Sequence, residues 1–203
     1  MNALLTLEQE NLDLDVLLVE DSVEDAELAV WRLSEGGFRC RYRVVTCEAE
    51  LRSAASRYVT EIVRPRVFTE IGALLAALRK QGVELWAVSS TNKWVVSEGV
   101  RDLGIPETRV LAAEVAVKSG LITSDIVDVP TDDGKANALR RKGLSRPDVV
   151  FGNSIHDLAM LEIAAHPFPV NPSPALLEAA AKNGWGYFRP GTAEGAEATV
   201  GGE

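Results

Sequence analysis

The chain has 203 residues, 46% of them hydrophobic and 25% charged, enough apolar material for one large or two small domains with a real core. Its net charge of -9 argues against nucleic acid or an anionic membrane as the main partner, since both call for clustered Lys and Arg. No apolar run reaches the roughly 18 residues of a membrane span, and the start MNALLTLEQENLDLD lacks the order of a secretory signal, so a cytoplasmic location is expected.

Short apolar runs alternate with amphipathic stretches, the pattern of a mostly parallel sheet covered on both faces. The first predicted strand is Val16–Val19. A helix follows, with Ser22 and Asp25 at capping-box spacing, Val23, Ala26, Val30 and Leu33 on one face, and Gly36-Gly37 as its stop. The next strand alternates Cys40, Tyr42 and Val44 with Arg39, Arg41 and Arg43. Cys40 and Cys47 are an odd offset apart, so they fall on opposite faces of a continuous strand and no disulfide framework is expected.

Glu48 to Tyr58 reads as a helix, and Ile71, Leu74, Leu75 and Leu78 line another that ends at Gly82. Val83–Val88 reads as a buried strand, Trp94 to Leu103 as helix and Arg109–Ala113 as strand. Val115-Ala116-Val117, the turn Ser119-Gly120 and Leu121 onward predict a small β-hairpin. Then come a helix from Lys135 to Lys142, the strand Val149–Phe151, a helix from Ile155 to Ala164 and a short strand Phe168–Val170. Ser173-Pro174 opens a helix in a favoured arrangement, Trp185–Phe188 is a last strand, and disorder is expected in the small, acidic tail.

In open α/β sheets, ligands gather at the carboxyl ends of the strands. Ser89, Ser90, Thr91 and Asn92 follow one predicted strand, and hydroxyls beside a helix start can bind an oxyanion, although such residues are more often caps. Gly152, Asn153 and Asp157 follow another, and two oxygen ligands there suit magnesium, or else simply cap the next helix. Lys135 opens a helix, where a cation is the wrong charge for the dipole; a phosphate would explain it, as would plain solvation.

Together these stretches resemble the haloacid-dehalogenase phosphatases, most of all the phosphoserine-phosphatase branch. ELWAVSST is similar to the second motif of that family, DDGKANAL to the third and FGNSIHDLAML to the fourth. The resemblance implies that Ser89 binds phosphate with Ser90 beside it, that Lys135 neutralises the phosphate and the nucleophile, and that Asp157 is the second acid of the fourth motif. It implies magnesium as cofactor and an aspartate nucleophile that forms an aspartyl-phosphate.

The first motif, D-x-D, has no working match. Glu20-Asp21-Ser22-Val23 follows the first strand, and Asp13-Leu14-Asp15 precedes it. VLLVEDSVEDAELAVWRLSEGGF instead resembles the opening of a response-regulator receiver domain, in which the acid pair, here Glu20 and Asp21, helps bind magnesium.

The expected architecture is a doubly wound, mostly parallel Rossmann-like α/β fold with a small hairpin and no large cap. Residues 1–56 form the receiver-like segment, 57–190 the phosphatase-like core and 191–203 the tail, with the first two sharing one composite sheet. Asp21 is the expected nucleophile with Lys135 as its partner in catalysis. Glu20, Asp21, Asn153 and Asp157 are the expected metal ligands. A small phosphorylated molecule is the expected substrate, and an unpaired strand of the hybrid sheet would favour a homodimer. The alternative is a non-catalytic phosphate- or metal-binding or signalling module derived from a receiver–phosphatase fusion.

Overall fold

The computed structural model describes residues 12–20 and 22–191. It is an α/β fold with mostly parallel strand pairs, in sheets of order β1-β2, β3-β4-β5 and β6-β7. The chain divides into two compact units, Met1–Ala54 with Val115–Asp125, and Ala55–Glu114 with Ile126–Glu203. The tail expected to be disordered lies outside the described residues beyond Gly191.

In the first unit, β1 (Leu12–Val19) pairs in parallel with β2 (Phe38–Val45) through the crossover helix α1 (Val23–Glu35). β1 begins four residues before the predicted Val16, so Asp13 and Asp15 lie inside it. The reason is across the pair: Asp13 sits opposite Arg39 and Asp15 opposite Arg41, with ion pairs of 3.3 and 2.8 Å. The Ser22 hydroxyl accepts from the Asp25 amide at 3.2 Å, which caps α1, and Gly37 at φ 86° turns the chain into β2. Ala26, Val45, Leu51 and Ile122 are buried in this unit. Both Cys40 and Cys47 are free thiols.

α2 (Glu48–Tyr58) runs on into a π turn at Val59–Val63 and a tight turn at Arg64–Arg66, neither of which the apolar spacing announces. α3 (Thr69–Lys80) follows. The Val83 amide bonds back to the Leu78 carbonyl at 3.1 Å, and Gly82 takes φ 77°. This closure holds Val83 on the helix end. The strand predicted at Val83–Val88 therefore starts later, as β3 (Ala87–Asn92), and contains the serines expected to follow it.

β3 lies parallel to β4 (Val110–Lys118), with α4 (Lys93–Arg101) between them in sequence. Ser119 at φ 51° and Gly120 at φ 80° form the tight turn into β5 (Leu121–Asp128), so the expected hairpin is present, with longer strands. α5 (Asp133–Arg141) leads to β6 (Val149–Gly152), which pairs in parallel with β7 (His166–Pro169). Where one helix was predicted from Ile155 to Ala164, a single tight turn at Ile155–Asp157 precedes a short α6 (Leu158–Glu162). It stops because the Ala165 and His166 amides bond to the Pro147 and Asp148 carbonyls, drawing the chain into β7. Trp185–Phe188 forms no full strand and contributes an isolated bridge, Val170 to Phe188.

The core of the second unit packs Leu139 of α5, Val150 of β6, Met160 and Leu161 of α6 and Leu176 against Leu111 of β4. Leu176 belongs to α7 (Pro174–Asn183), where Ser173 is the N-cap and accepts from the Leu176 amide at 3.4 Å. Ser173→Ala is expected to cost about 1 kcal/mol, and Ser173→Gly only a few tenths. Urea melts of the three proteins check this order. No helix among the described residues is long and apolar enough to cross a membrane.

Candidate active site

Two turns of the second unit bring predicted site residues together. The first, Thr131–Gly134, opens α5 and delivers Lys135. Lys135 is buried, although a lysine is rarely found so. Its neighbours Ala136, Ala138 and Leu139 are buried too, so the helix turns this face inward and carries the ammonium with it. The second turn, Asn153–Asp157, follows β6. It returns the Asp157 carboxylate, also buried, towards the strand end.

Lys135 Nζ donates to Asp157 Oδ1 at 2.5 Å. Asp157 Oδ2 accepts from the backbone amides of Asn153 and Ser154 at 2.9 and 3.0 Å. Both oxygens are thus satisfied, and the buried charges are paired, as burial requires. The helix-start cation has found its counter-charge in Asp157. Ser154 accepts from the His156 amide at 3.2 Å and completes a capping box with Asp157.

Gly152 makes this approach feasible. A Cβ there would stand 2.7 Å from Asp157 Cβ and 3.2 Å from its Cγ and Oδ2. Val170 and Ser173 donate backbone bonds of 2.8 Å to the Gly152 and Asn153 carbonyls, which ties the turn to the segment after β7.

Asp132 is the residue that the sequence did not single out. Its backbone is at φ 46° and ψ -123°, a strained region that costs about 1–3 kcal/mol for a residue other than glycine. Its Oδ1 accepts from His156 Nδ1 at 2.6 Å and its Oδ2 from the Thr131 hydroxyl at 3.1 Å. The His156 bond first, and the Thr131 bond next, hold this carboxyl below its ordinary range. The pairing joins residues far apart in sequence, so no local pattern revealed it. The Ser154–Asp157 cap was legible as an S-x-x-D spelling.

Ser89 and Ser90 lie where β3 departs from its register with β4. From Val88 to Asn92 the chain advances four residues while β4 advances two, from Leu111 to Ala113. The surplus bulges at Ser89-Ser90-Thr91, and bulges of this kind re-aim side chains beside functional sites. The Ser89 hydroxyl accepts from the Thr91 amide at 3.1 Å, Ser90 is exposed, and Asn92 caps α4.

Of the predicted residues, Lys135, Asn153 and Asp157 are thus in direct contact around one carboxylate, while Ser89 and Ser90 occupy the β3 bulge. Glu20 follows β1 in the first unit, where its Oε1 accepts from the Ser22 amide at 3.3 Å. Asp21 lies outside the described residues. No three His, Cys, Asp or Glu side chains gather as a metal-binding group among the described residues. Asp157 has both oxygens engaged and Asn153 offers only a neutral carbonyl. These two alone do not fit magnesium, which binds through at least one carboxylate.

The family profile described as haloacid dehalogenase-like hydrolase matches residues 12–162. Two curated proteins of Mycobacterium tuberculosis are each 32% identical over 142 residues, which is 68% of this chain and 49% of theirs. The one from strain H37Rv bears the name "Probable phosphatase" and the one from strain CDC 1551 / Oshkosh "Uncharacterized protein". The chain spans about half the length of these relatives. A solved protein of unknown function from Bordetella pertussis Tohama I shares the fold, with a TM-score of 0.63 at 16% identity over 87% of this chain and 98% of that one.

Proposed function

The chain belongs to the haloacid dehalogenase-like hydrolases, and we propose that it is a phosphomonoester hydrolase acting on small phosphorylated molecules. The observation that carries this reading is the buried Lys135–Asp157 pair at 2.5 Å, with its carboxylate fixed by two backbone amides. A fixed ammonium in a low-dielectric setting stabilises the charge that develops on a transferring phosphoryl group. Lys135 is the residue proposed for that work, and Asp157 holds it in place. The relative from Mycobacterium tuberculosis named as a phosphatase supports the same reaction class.

In this reading an aspartate oxygen attacks phosphorus, the alcohol leaves, and water then releases phosphate from the acyl-phosphate. Asp21 is the proposed nucleophile, and the Ser89-Ser90 bulge supplies hydroxyl and amide donors for phosphate oxygens. Magnesium is the cofactor that the reading implies. Its carboxylate ligands would come from residues other than Asp157, and no step is assigned to the ion.

Hydrolysis of p-nitrophenyl phosphate, with magnesium or with EDTA, tests the proposal. Magnesium-dependent turnover is expected, falling to background in Asp21→Asn and about a hundredfold or more in Lys135→Met. An acyl-phosphate mimic formed with fluoroberyllate is expected in the wild type and absent from Asp21→Asn. A wild-type protein that hydrolyses no member of a phosphomonoester panel in the presence of magnesium overturns the reading.

A further inference from the structure

Two ties run in parallel between the turn that opens α5 and the turn that follows β6. One is the buried bond from Lys135 to Asp157 at 2.5 Å, and the other is the exposed bond from His156 to Asp132 at 2.6 Å. His156 immediately precedes Asp157, and Asp132 lies one helical turn before Lys135, so both ties span the same gap. We propose that Asp132 and His156 are positioning residues, a clamp that sets where Lys135 meets Asp157. This rests on the reading of that pair as the phosphate-handling centre.

The lysine itself cannot define the geometry. Its ammonium rides on a flexible four-carbon stem and would reach Asp157 from many backbone positions. Something stiffer must choose among them, and the clamp is stiff at each end. Both carboxylate oxygens of Asp132 are held, one by His156 and one by Thr131. The Asp132 carbonyl accepts the Lys135 amide at 3.1 Å, and the Thr131 carbonyl accepts the Gly134 amide at 2.7 Å. At the other end the His156 amide is bound by the Ser154 hydroxyl, and the Asp157 amide bonds to the Ser154 carbonyl at 2.9 Å.

Exposure argues for the same role. The side chains of His156 and Asp132 are 62% and 61% exposed, and a bond so open to water adds little to folding. Yet Asp132 makes it from a backbone at φ 46°. Strain maintained for a weakly stabilising contact is the signature of a constraint kept for placement, and strained residues of this kind collect at functional sites.

The test uses the full chain with His156 changed to Ala, Asn or Gln. An asparagine carries its amide nitrogen where Nδ1 stands, whereas a glutamine carries it at the place of Nε2, so only asparagine can replace the clamp. Amide hydrogen exchange at Asn153, Ser154 and Lys135 reads the turns directly and needs no activity. His156→Ala and His156→Gln are expected to speed exchange there about tenfold, with the core helices unchanged and His156→Asn near wild type. On p-nitrophenyl phosphate, the same two variants are expected to lose about tenfold in kcat with KM little altered, because a misplaced charge weakens transition-state binding above all.

Unchanged exchange in His156→Ala overturns the clamp, and so does equal loss in His156→Asn and His156→Gln. A wild type that shows no turnover, with exchange following the expected order, upholds the clamp as the device that sets the pair and removes only the phosphatase reading.

Discussion

Asp157→Ala is expected to destabilise the protein by about 3–5 kcal/mol, because it leaves a buried ammonium without its counter-charge. Lys135 is 7% exposed, so water cannot take over the role of the carboxylate. The substitution also strips the Asn153 and Ser154 amides of their acceptor, Asp157 Oδ2. Lys135→Met is expected to cost less, since the carboxylate left behind keeps both amide donors. The double substitution Lys135→Met with Asp157→Leu is expected to recover much of the loss, because apolar partners of similar volume replace a buried pair at little cost. Thermal melts measure the series, with about 2–4 °C for each kcal/mol in a chain of this size. Equal melting points for Asp157→Ala and wild type would show that the pair is not buried together in solution.

Gly152→Ala is the second large effect, and it acts on geometry more than on charge. The added methyl would lie 2.7 Å from Asp157 Cβ, nearer than atoms can stand. Its neighbours are not free to give way: Asp157 is held on both oxygens, and the Gly152 carbonyl receives the Val170 amide. Overpacking at such a point costs about 1–3 kcal/mol. The carboxylate must move by several tenths of an ångström, and Lys135 with it, which is expected to lower turnover on p-nitrophenyl phosphate about a hundredfold. A glycine chosen only for turn flexibility would tolerate alanine, since Gly152 is not among the glycines at positive φ. Turnover close to wild type in Gly152→Ala would therefore refute the close-approach role.

Much of this fold was readable from periodicity and punctuation. Ser22, Gly37 and Ser173-Pro174 stand where short-range chemistry asks for a cap, a turn and a helix start, and each acts within a few residues. The start of β1 was misread because Asp13 and Asp15 look unlike strand residues until Arg39 and Arg41 are set opposite them. Val83 looks like a strand residue until the bond to Leu78 is known. In the candidate site, the motifs singled out Lys135 and Asp157, whereas their mutual contact was not legible, since it spans 22 residues. Asp132 and His156, 24 residues apart, left no local trace at all.

The β1–β2 register has a bearing on how the chain assembles. All eight of its rungs, from Leu12 with Phe38 to Val19 with Val45, join residues the same 26 positions apart. Closing the first rung fixes the connecting loop, and the others then add no further loop-closure entropy. The rungs themselves use no residue beyond Val45. During synthesis this pair can close while β3, α5 and β6 are still untranslated, whereas Lys135 must wait for Asp157.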